Sequence, residues 1–466
     1  MSLLRHDECR RIFDRAQRAA RAAGVHDIEI YIGATVTALT RFANNAIHQN
    51  VAERDRMLSV RTLIGQRTAR ATTNRADDDS IRRVVEEAIA LTKVAEPDPA
   101  LLPLPTPEEP GEIGPSPSRF DPATAAATPE QRALAVKEAI GIVESASAIA
   151  AGIFETGEEA EALLNSRGLF RFHTETSARF SITATAHDSS GWAKASAVST
   201  GAMDPAALAR NAADKARLSA SPRELPPGRY TVVLEPAAVL DLVGQIFADF
   251  SATAIFDQRS FLTGRDLAGL FGENIVINDD AWHPLQAGAP FDGEGVARRT
   301  LRLVDCGTVR DIPYSRASAR RAGVRATGHG LALPNDTGEM PTNIVIGGGN
   351  STLDEMVAAV DRGILVTRLW YIREVDPFEK IMTGMTRDGT FLIEGGQPVH
   401  GIRNFRFNQS VVEMLRNVVA MSAPVRASGE EASDLVAPAE NVPCNGRRCP
   451  RPTEYEVVSE LDFSDS

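Results

Sequence analysis

The chain has 466 residues, 43% of them hydrophobic and 24% charged, which is enough apolar material for two or three cored domains and too much for a disordered chain. A formal net charge of -12 and a pI near 5.3 exclude nucleic acid as the expected partner, because phosphate binders present clustered Lys and Arg. Charges every few positions in MSLLRHDECRRIFDRAQRAARAAG leave no apolar core for a secretory signal, and no stretch reaches the roughly 18 apolar residues of a membrane span. A cytoplasmic protein with no membrane partner is expected, and sparse cysteine agrees. Cys9 and Cys306 are isolated. Cys444 and Cys449 lie close together with no further Cys or His beside them, so they read as a tail turn rather than a zinc site.

Apolar residues at helical spacing (Leu4, Ile12, Phe13, Ala16, Ala20) predict a first helix over 3–23, with Gly24 at its C-terminal cap. Extended segments rich in β-branched residues follow from Ile28, and 77–93 returns to helical periodicity with Asp78 and Asp79 near its start. Dense proline between 97 and 129 marks a linker or a surface-hugging crossover. The same order then recurs: a helix over 129–148, strands through LLNSRG and RFSITATAHDSSGWAKASAV, and a helix over 205–218. This parallel predicts a diverged duplication of one α+β unit. After SPRELPPGRY, a strand over 230–234 and a long helix opened by Pro236 begin a region of short strands and turns, interrupted by helices over 351–362 and 410–419.

The expected class is α+β, with an N-terminal α/β sandwich-like region, internally duplicated, and a mainly β C-terminal domain forming a curved sheet or barrel-like body. The boundaries read 1–96 for the first unit, 97–129 for the linker, 130–225 for the second unit, 226–421 for the β-rich domain and 422–466 for a flexible polar tail.

Chemistry-bearing motifs are scarce. The histidines are scattered, no helix carries a closely spaced His pair, and there is no Gly-x-Ser-x-Gly elbow. Gly347, Gly348 and Gly349 precede a helix as a phosphate loop would, but the Gly-Lys-Ser/Thr ending is missing; a tight turn at close backbone packing is the stronger reading, with contact to a peptide backbone as the other. Asp292 and Glu294 in FDGEG could face one side of a strand and do acid/base work, yet the flanking glycines favour a turn with solvated acids. The run Arg316, Arg320, Arg321 and Arg325 reads as a solvated face.

Several stretches together resemble the TldD/PmbA family: TRFANNAIHQNV, LLNSRG, FDGEGVARRTLRLVDCGTV, NIVIGGGNSTLDEMVAAVDRGILV and TGMTRDGTFLIEGG, in that order over most of 31–408. The resemblance implies a peptidase fold whose active member carries HExxxH on the helix after the strand that opens the C-terminal domain, with two zinc-binding histidines and a glutamate serving the activated water. Here that strand and helix read VVLEPAAVLDLVGQIF, which places Leu240 and Gln245 at the histidine positions and Asp241 at the glutamate. Leucine cannot bind zinc and glutamine is a poor ligand for it. The chain therefore resembles the PmbA (TldE) kind of subunit. No catalytic residue, metal ligand or cofactor is expected in it, and zinc is expected in a TldD-like paralogue with which it forms a heterodimer around unstructured peptides. The glycines of 347–349, with Asp292 and Glu294, are the candidate peptide or partner contacts. Two other readings compete: an autonomous hydrolase with an unrecognised site, and a peptide-binding or assembly module with no peptidase partner.

Overall fold

A computed structural model of the chain describes residues 3–109, 111, 113–114 and 117–443. The N-terminal region opens with α1 (His6–Ala22), which buries Cys9, Ile12, Phe13, Ala16 and Ala20 along one stripe. The strands β1 (Asp27–Ala43), β2 (Ala46–Ile64) and β3 (Arg67–Thr73) follow, and then α2 (Asp78–Val94), whose first turn is capped by Asp77 accepting from Ser80 N. After the short α3 (Pro122–Ala125) the order repeats. Helix α4 (Pro129–Ser145) starts at a Thr128/Gln131 capping box, then come β4 (Ile149–Asn165), β5 (Phe170–Thr185), β6 (Ser190–Ala197) and α5 (Pro205–Leu218).

The two units share one antiparallel sheet of order β3-β2-β1-β4-β5-β6, in which β1 and β4 pair from Glu29–Asn165 to Phe42–Gly152. Each unit's first hairpin turn reaches the first strand of the other. Asn44 and Asn45, both at positive φ as a two-residue hairpin requires, end β1; Asn45 Oδ1 then accepts from Ala150 N at 2.6 Å. Reciprocally, the turn after β4 places Ser166 Oγ 3.1 Å from Ile28 N. The quoted family stretches ANNA and LLNSRG are thus matching halves of one symmetric lock.

All four long helices cover the same face of the sheet. Ile28, Ile30, Ile32, Ala160, Ala162 and Leu164 pack under α1 and α2, while Phe42, Ala150, Phe154, Phe180 and Ile182 pack under α4 and α5. The other face is polar and meets the C-terminal domain: Arg70 Nε donates to Leu333 O at 2.8 Å, Arg171 Nε to Gly295 O at 2.9 Å, and Gly288 N donates to Glu175 at 2.6 Å. The proline-rich crossover is tied down at both ends. Asn165 Nδ2 donates to Pro105 O at 2.8 Å, and Arg119 Nη2 donates to Ala281 O and His283 O at 2.8 and 2.9 Å.

The C-terminal domain begins with β7 (Thr231–Leu234), α6 (Pro236–Val243) and α7 (Ala252–Phe256). One sheet is built from β8 (Ile277–Asp279), β9 (Leu301–Asp305), β10 (Thr308–Val309), then, past α8 (Arg316–Ala322), β11 (Ile344–Ile346). Beyond α9 (Leu353–Ala358), the long hairpin β12 (Arg362–Asp376) and β13 (Ile381–Glu394) carries β14 (Gln397–Gly401) and β15 (Arg406–Ser410) on its outer side. Helix α10 (Val411–Asn417) leads to four short strands: β16 (Ala420–Met421), β17 (Val425–Ala427), β18 (Leu435–Ala437) and β19 (Glu440–Val442). The resulting order β14-β13-β12-β7-β19-β16 is a curled half-barrel wrapped on α6. The architecture is the α+β class expected, with a curved β-rich C-terminal body.

Three expectations change. The helix after Pro236 does not run on: it tightens into a 3₁₀ turn over Gly244–Asp249 before α7. The helices expected over 351–362 and 410–419 are shorter, because their ends pass directly into strands. Residues 422–443, expected as a flexible tail, supply strands β17, β18 and β19, and β19 pairs with β7 in the half-barrel. Some of their polar side chains are held by remote partners, as where Ser196 Oγ donates to Asp434 at 2.6 Å. Residues 444–466, with Cys444 and Cys449, lie outside the described residues.

Backbone proximity sets one stability test. A Cβ at Gly191 in β6 would collide with Ala212 O and Ala216 N of α5, whereas one at Gly141 in α4 meets nothing within 4 Å. Gly191→Ala should cost about 2–3 kcal/mol by overpacking, and Gly141→Ala should gain about 0.5–1 kcal/mol of helix propensity, read as opposite shifts in the midpoint of urea denaturation.

Candidate functional site

Helix α6 leaves β7 through Glu235 and the first-turn Pro236, and its residues from Ala238 to Val243 are all buried. Leu240 is in the main apolar core. Asp241 is buried beside it, and its two oxygens accept three backbone N–H groups: Oδ2 from Leu369 at 3.2 Å, and Oδ1 from Glu430 and Glu431 at 3.2 Å each. Gln245, at the 3₁₀ turn, donates from Nε2 to Asp241 O and Glu431 O, both at 3.1 Å. The loop 428–434 lies so close to the helix that a Cβ on Gly429 would strike Asp241 Oδ1 and Leu240 Cδ2. The three positions therefore serve as core filler, carboxylate cap and amide strap. Burial pushes the Asp241 carboxyl up to about 6, against the opposing pull of these hydrogen bonds and of Arg368.

The cap has a structural cause. Parallel pairing of β7 with β12 ends at Leu234–Val366, so the rest of this β12 edge carries backbone donors with no strand opposite among the described residues. Asp241 takes Leu369 N, and the Glu431 carboxylate takes Tyr371 N and Ile372 N at 2.9 and 3.0 Å. Tyr371 and Ile372 form a bulge between the pairs Trp370–Met385 and Arg373–Thr383, with Tyr371 at φ 58°.

The other candidate residues are elsewhere and internal. Asp292 and Glu294, expected as solvated acids in a turn, are buried. Asp292 Oδ1 accepts from Glu294 N and Val296 N at 2.9 and 2.8 Å, Oδ2 from Gly330 N at 2.7 Å, and Glu294 Oε1 accepts from Arg316 N at 2.9 Å. They bind this turn to the segments at 316 and 330, which the central sheet covers. Burial raises both carboxyls, and with Asp292 beside it Glu294 reaches about 7. Arg316, expected on a solvated face, is fixed by Pro103 O and Glu109 at 2.9 and 3.0 Å, whereas Arg320 and Arg321 are exposed. Gly347 and Gly349 bond Val276 O and Ser422 O at 2.7 and 2.9 Å, and a Cβ on any of the three glycines would crowd residue 276 or residues 421–424. This is close backbone packing against Val276 and the segment 421–424. Among the described residues no group of three or more His, Cys, Asp or Glu gathers in a metal-binding arrangement.

Three features had no local signal in the sequence, because each is assembled from distant segments. A cleft of about 500 Å3 lies between the polar face of the central sheet and the C-terminal domain, bordered by Glu175, Arg179, Lys194, Arg298, Arg426 and the loop at Glu430. Buried His329 places Nε2 3.1 Å from buried Asp279 Oδ1. Glu440 of β19 is wholly buried between Leu234 and Met421, with neither carboxylate oxygen hydrogen-bonded to any described residue.

Three domain families match in series: PmbA/TldA metallopeptidase domain 1 at residues 28–92, the central domain at 123–220 and the C-terminal domain at 227–442. The chain belongs to the PmbA/TldD family. It is 22% identical over 387 residues to the metalloprotease PmbA of Escherichia coli O157:H7, covering 79% of this chain and 81% of that one. It is 25% identical over 289 residues to a metalloprotease of Methanothermobacter thermautotrophicus, covering 58% of this chain, and 31% identical over 160 residues to an uncharacterized protein of Methanocaldococcus jannaschii, covering 33% of this chain. The chain spans 61% and 37% of the length of those two relatives. The fold is that of TldE from Thermococcus kodakarensis, with a TM-score of 0.84 at 18% identity over 95% of this chain and 99% of that one. A proposed modulator of a DNA gyrase from Thermotoga maritima gives 0.82 at 19% identity, covering 96% and 100%.

Glu440 yields a pH test. Its burial lifts the carboxyl from 4.5 to about 8, so across that window the folded chain keeps a proton that the unfolded chain releases. Stability must therefore fall as pH rises between those values and level off above about 8. Glu440→Gln should abolish this contribution, leaving the variant progressively more stable than the parent up to pH 8, read as urea midpoints across a pH series.

Proposed function

We propose that this chain is the non-catalytic partner of a TldD-like, zinc-bearing paralogue, in a cytoplasmic heterodimer that degrades or processes unstructured peptides. The observation that carries this reading is the use made of the motif positions. A catalytic zinc needs ligands with free lone pairs directed at an open site. Leu240 offers none, Gln245 is turned onto two carbonyls, and both oxygens of Asp241 are engaged by N–H groups. Family membership supports association with metallopeptidase chemistry, and the likeness to TldE supports a fold suited to that subunit's place. The paralogue would supply zinc and the activated water. This chain would contribute a wall of the peptide chamber: the polar sheet face, the cleft and the half-barrel.

Titrating this chain into a fixed amount of the paralogue should raise cleavage of an unstructured peptide up to equimolar addition, with a chelator abolishing it. A flat rate, with no complex on size-exclusion chromatography, contradicts the partner role. The combined Leu240→His, Asp241→Glu and Gln245→His variant should remain inactive alone, because imidazole at 240 enters an apolar core and a longer acid at 241 displaces the 430–431 backbone. Peptide hydrolysis by that isolated variant at the rate of the complex would overturn the reading.

A further inference from the structure

We propose that the bulge at Tyr371 and Ile372 is a binding site for the C-terminal carboxylate of an extended peptide, occupied in the resting chain by Glu431. The inference rests on the peptide-handling role above and adds a site to it. Two consecutive backbone N–H groups converge on one carboxylate here, the concave arrangement that a left-handed residue produces and that binds anions. Such nests capture peptide termini in other settings. Gly384, opposite the bulge, leaves room for it: a side chain there would strike Ile372 Cδ1 and the Phe407 ring.

The surroundings select a peptide over a simple anion. Arg373 Nη1 stands 3.8 Å from Glu431 Oε2 and supplies charge without filling the nest. Past the bulge β12 runs on through the exposed Arg373, Glu374 and Val375 with no described strand on this edge, so an extended backbone can run alongside it once its terminus is anchored. Trp370 and Tyr371 are exposed at 36% and 48%, offering apolar surface to the ligand's last side chains. Gly429, Glu430 and Ala432, which flank Glu431, border the cleft, and the exposed Tyr371 and Arg373 leave the bulge itself open to solvent. The main chain of the loop is tied independently, with Lys194 Nζ donating to Gly429 O at 2.5 Å and pairing with Glu430 at 3.1 Å. Displacing the occupant thus requires only that the Glu431 side chain swing away.

An intramolecular occupant competes at a high effective concentration, so its removal should strengthen binding of a free-carboxylate peptide by about tenfold or more. The test titrates the isolated chain, and its Glu431→Ala and Glu431→Gln variants, with N-acetylated tetra-alanine bearing either a free or an amidated C-terminus, followed by calorimetry. Both variants should bind the free-acid peptide at least about tenfold more tightly than the parent, with the amidated peptide and acetate showing no such gain. Equal affinity for the two peptides, equal competition by acetate, or no gain in either variant overturns the proposal. Should Glu431→Ala fail to fold, hydrogen exchange on the parent chain decides: saturating free-acid peptide must speed exchange across 429–433 while leaving 369–373 protected, and an unchanged pattern counts against the site. No paralogue is present, so a negative result leaves the stimulation of cleavage untouched.

Discussion

The geometry around α6 depends on a strand edge that needs hydrogen-bond acceptors. Where β7 stops, β12 continues, and its inward N–H groups would be buried without partners at a cost of about 1–3 kcal/mol each. Two carboxylates from different parts of the chain, Asp241 and Glu431, take the place of the missing strand. Asp241 also holds the N–H groups of Glu430 and Glu431, so the carboxylate whose Oδ2 terminates the sheet positions the second carboxylate through its Oδ1. Asp241 thus acts as a structural cap. Burial raises its carboxyl in spite of three hydrogen bonds, and those bonds commit both oxygens to the backbone.

The same economy links the domains. The central sheet buries its apolar side under helices and turns a polar side toward the half-barrel, so the domain interface is made of directional bonds such as Arg171 to Gly295 O and Arg70 to Leu333 O. Directional contacts leave room for a cleft where a wholly apolar interface would close. Lys194, Ser196 and Arg426 in turn hold the loop that seals the motif helix, so the sheet face and the motif positions are parts of one network.

What could be read from sequence follows the range of the forces involved. The duplicated helix and strand order was legible because long amphipathic periods and the Asn44, Asn45 and Gly168 turns act within a few residues. Strands of two to five residues such as β10, β16 and β19 carry no period of their own and are defined by distant partners. For the same reason 422–443 resembled a tail: Ser428, Asp434, Glu440 and Asn441 look solvated in sequence but are buried or bonded across the fold. That Leu240 and Gln245 stand where the resemblance would put histidines was legible at once. The use of Asp241 was not, because its donors lie 128 to 190 positions away.

If Leu240, Asp241 and Gln245 serve only structure, the isolated chain holds no zinc and the proposed partner must supply it. The most direct measurement is the zinc content of the isolated chain, purified without its paralogue and dialysed against a weak chelator. The account predicts far less than one equivalent. One equivalent surviving dialysis would contradict it.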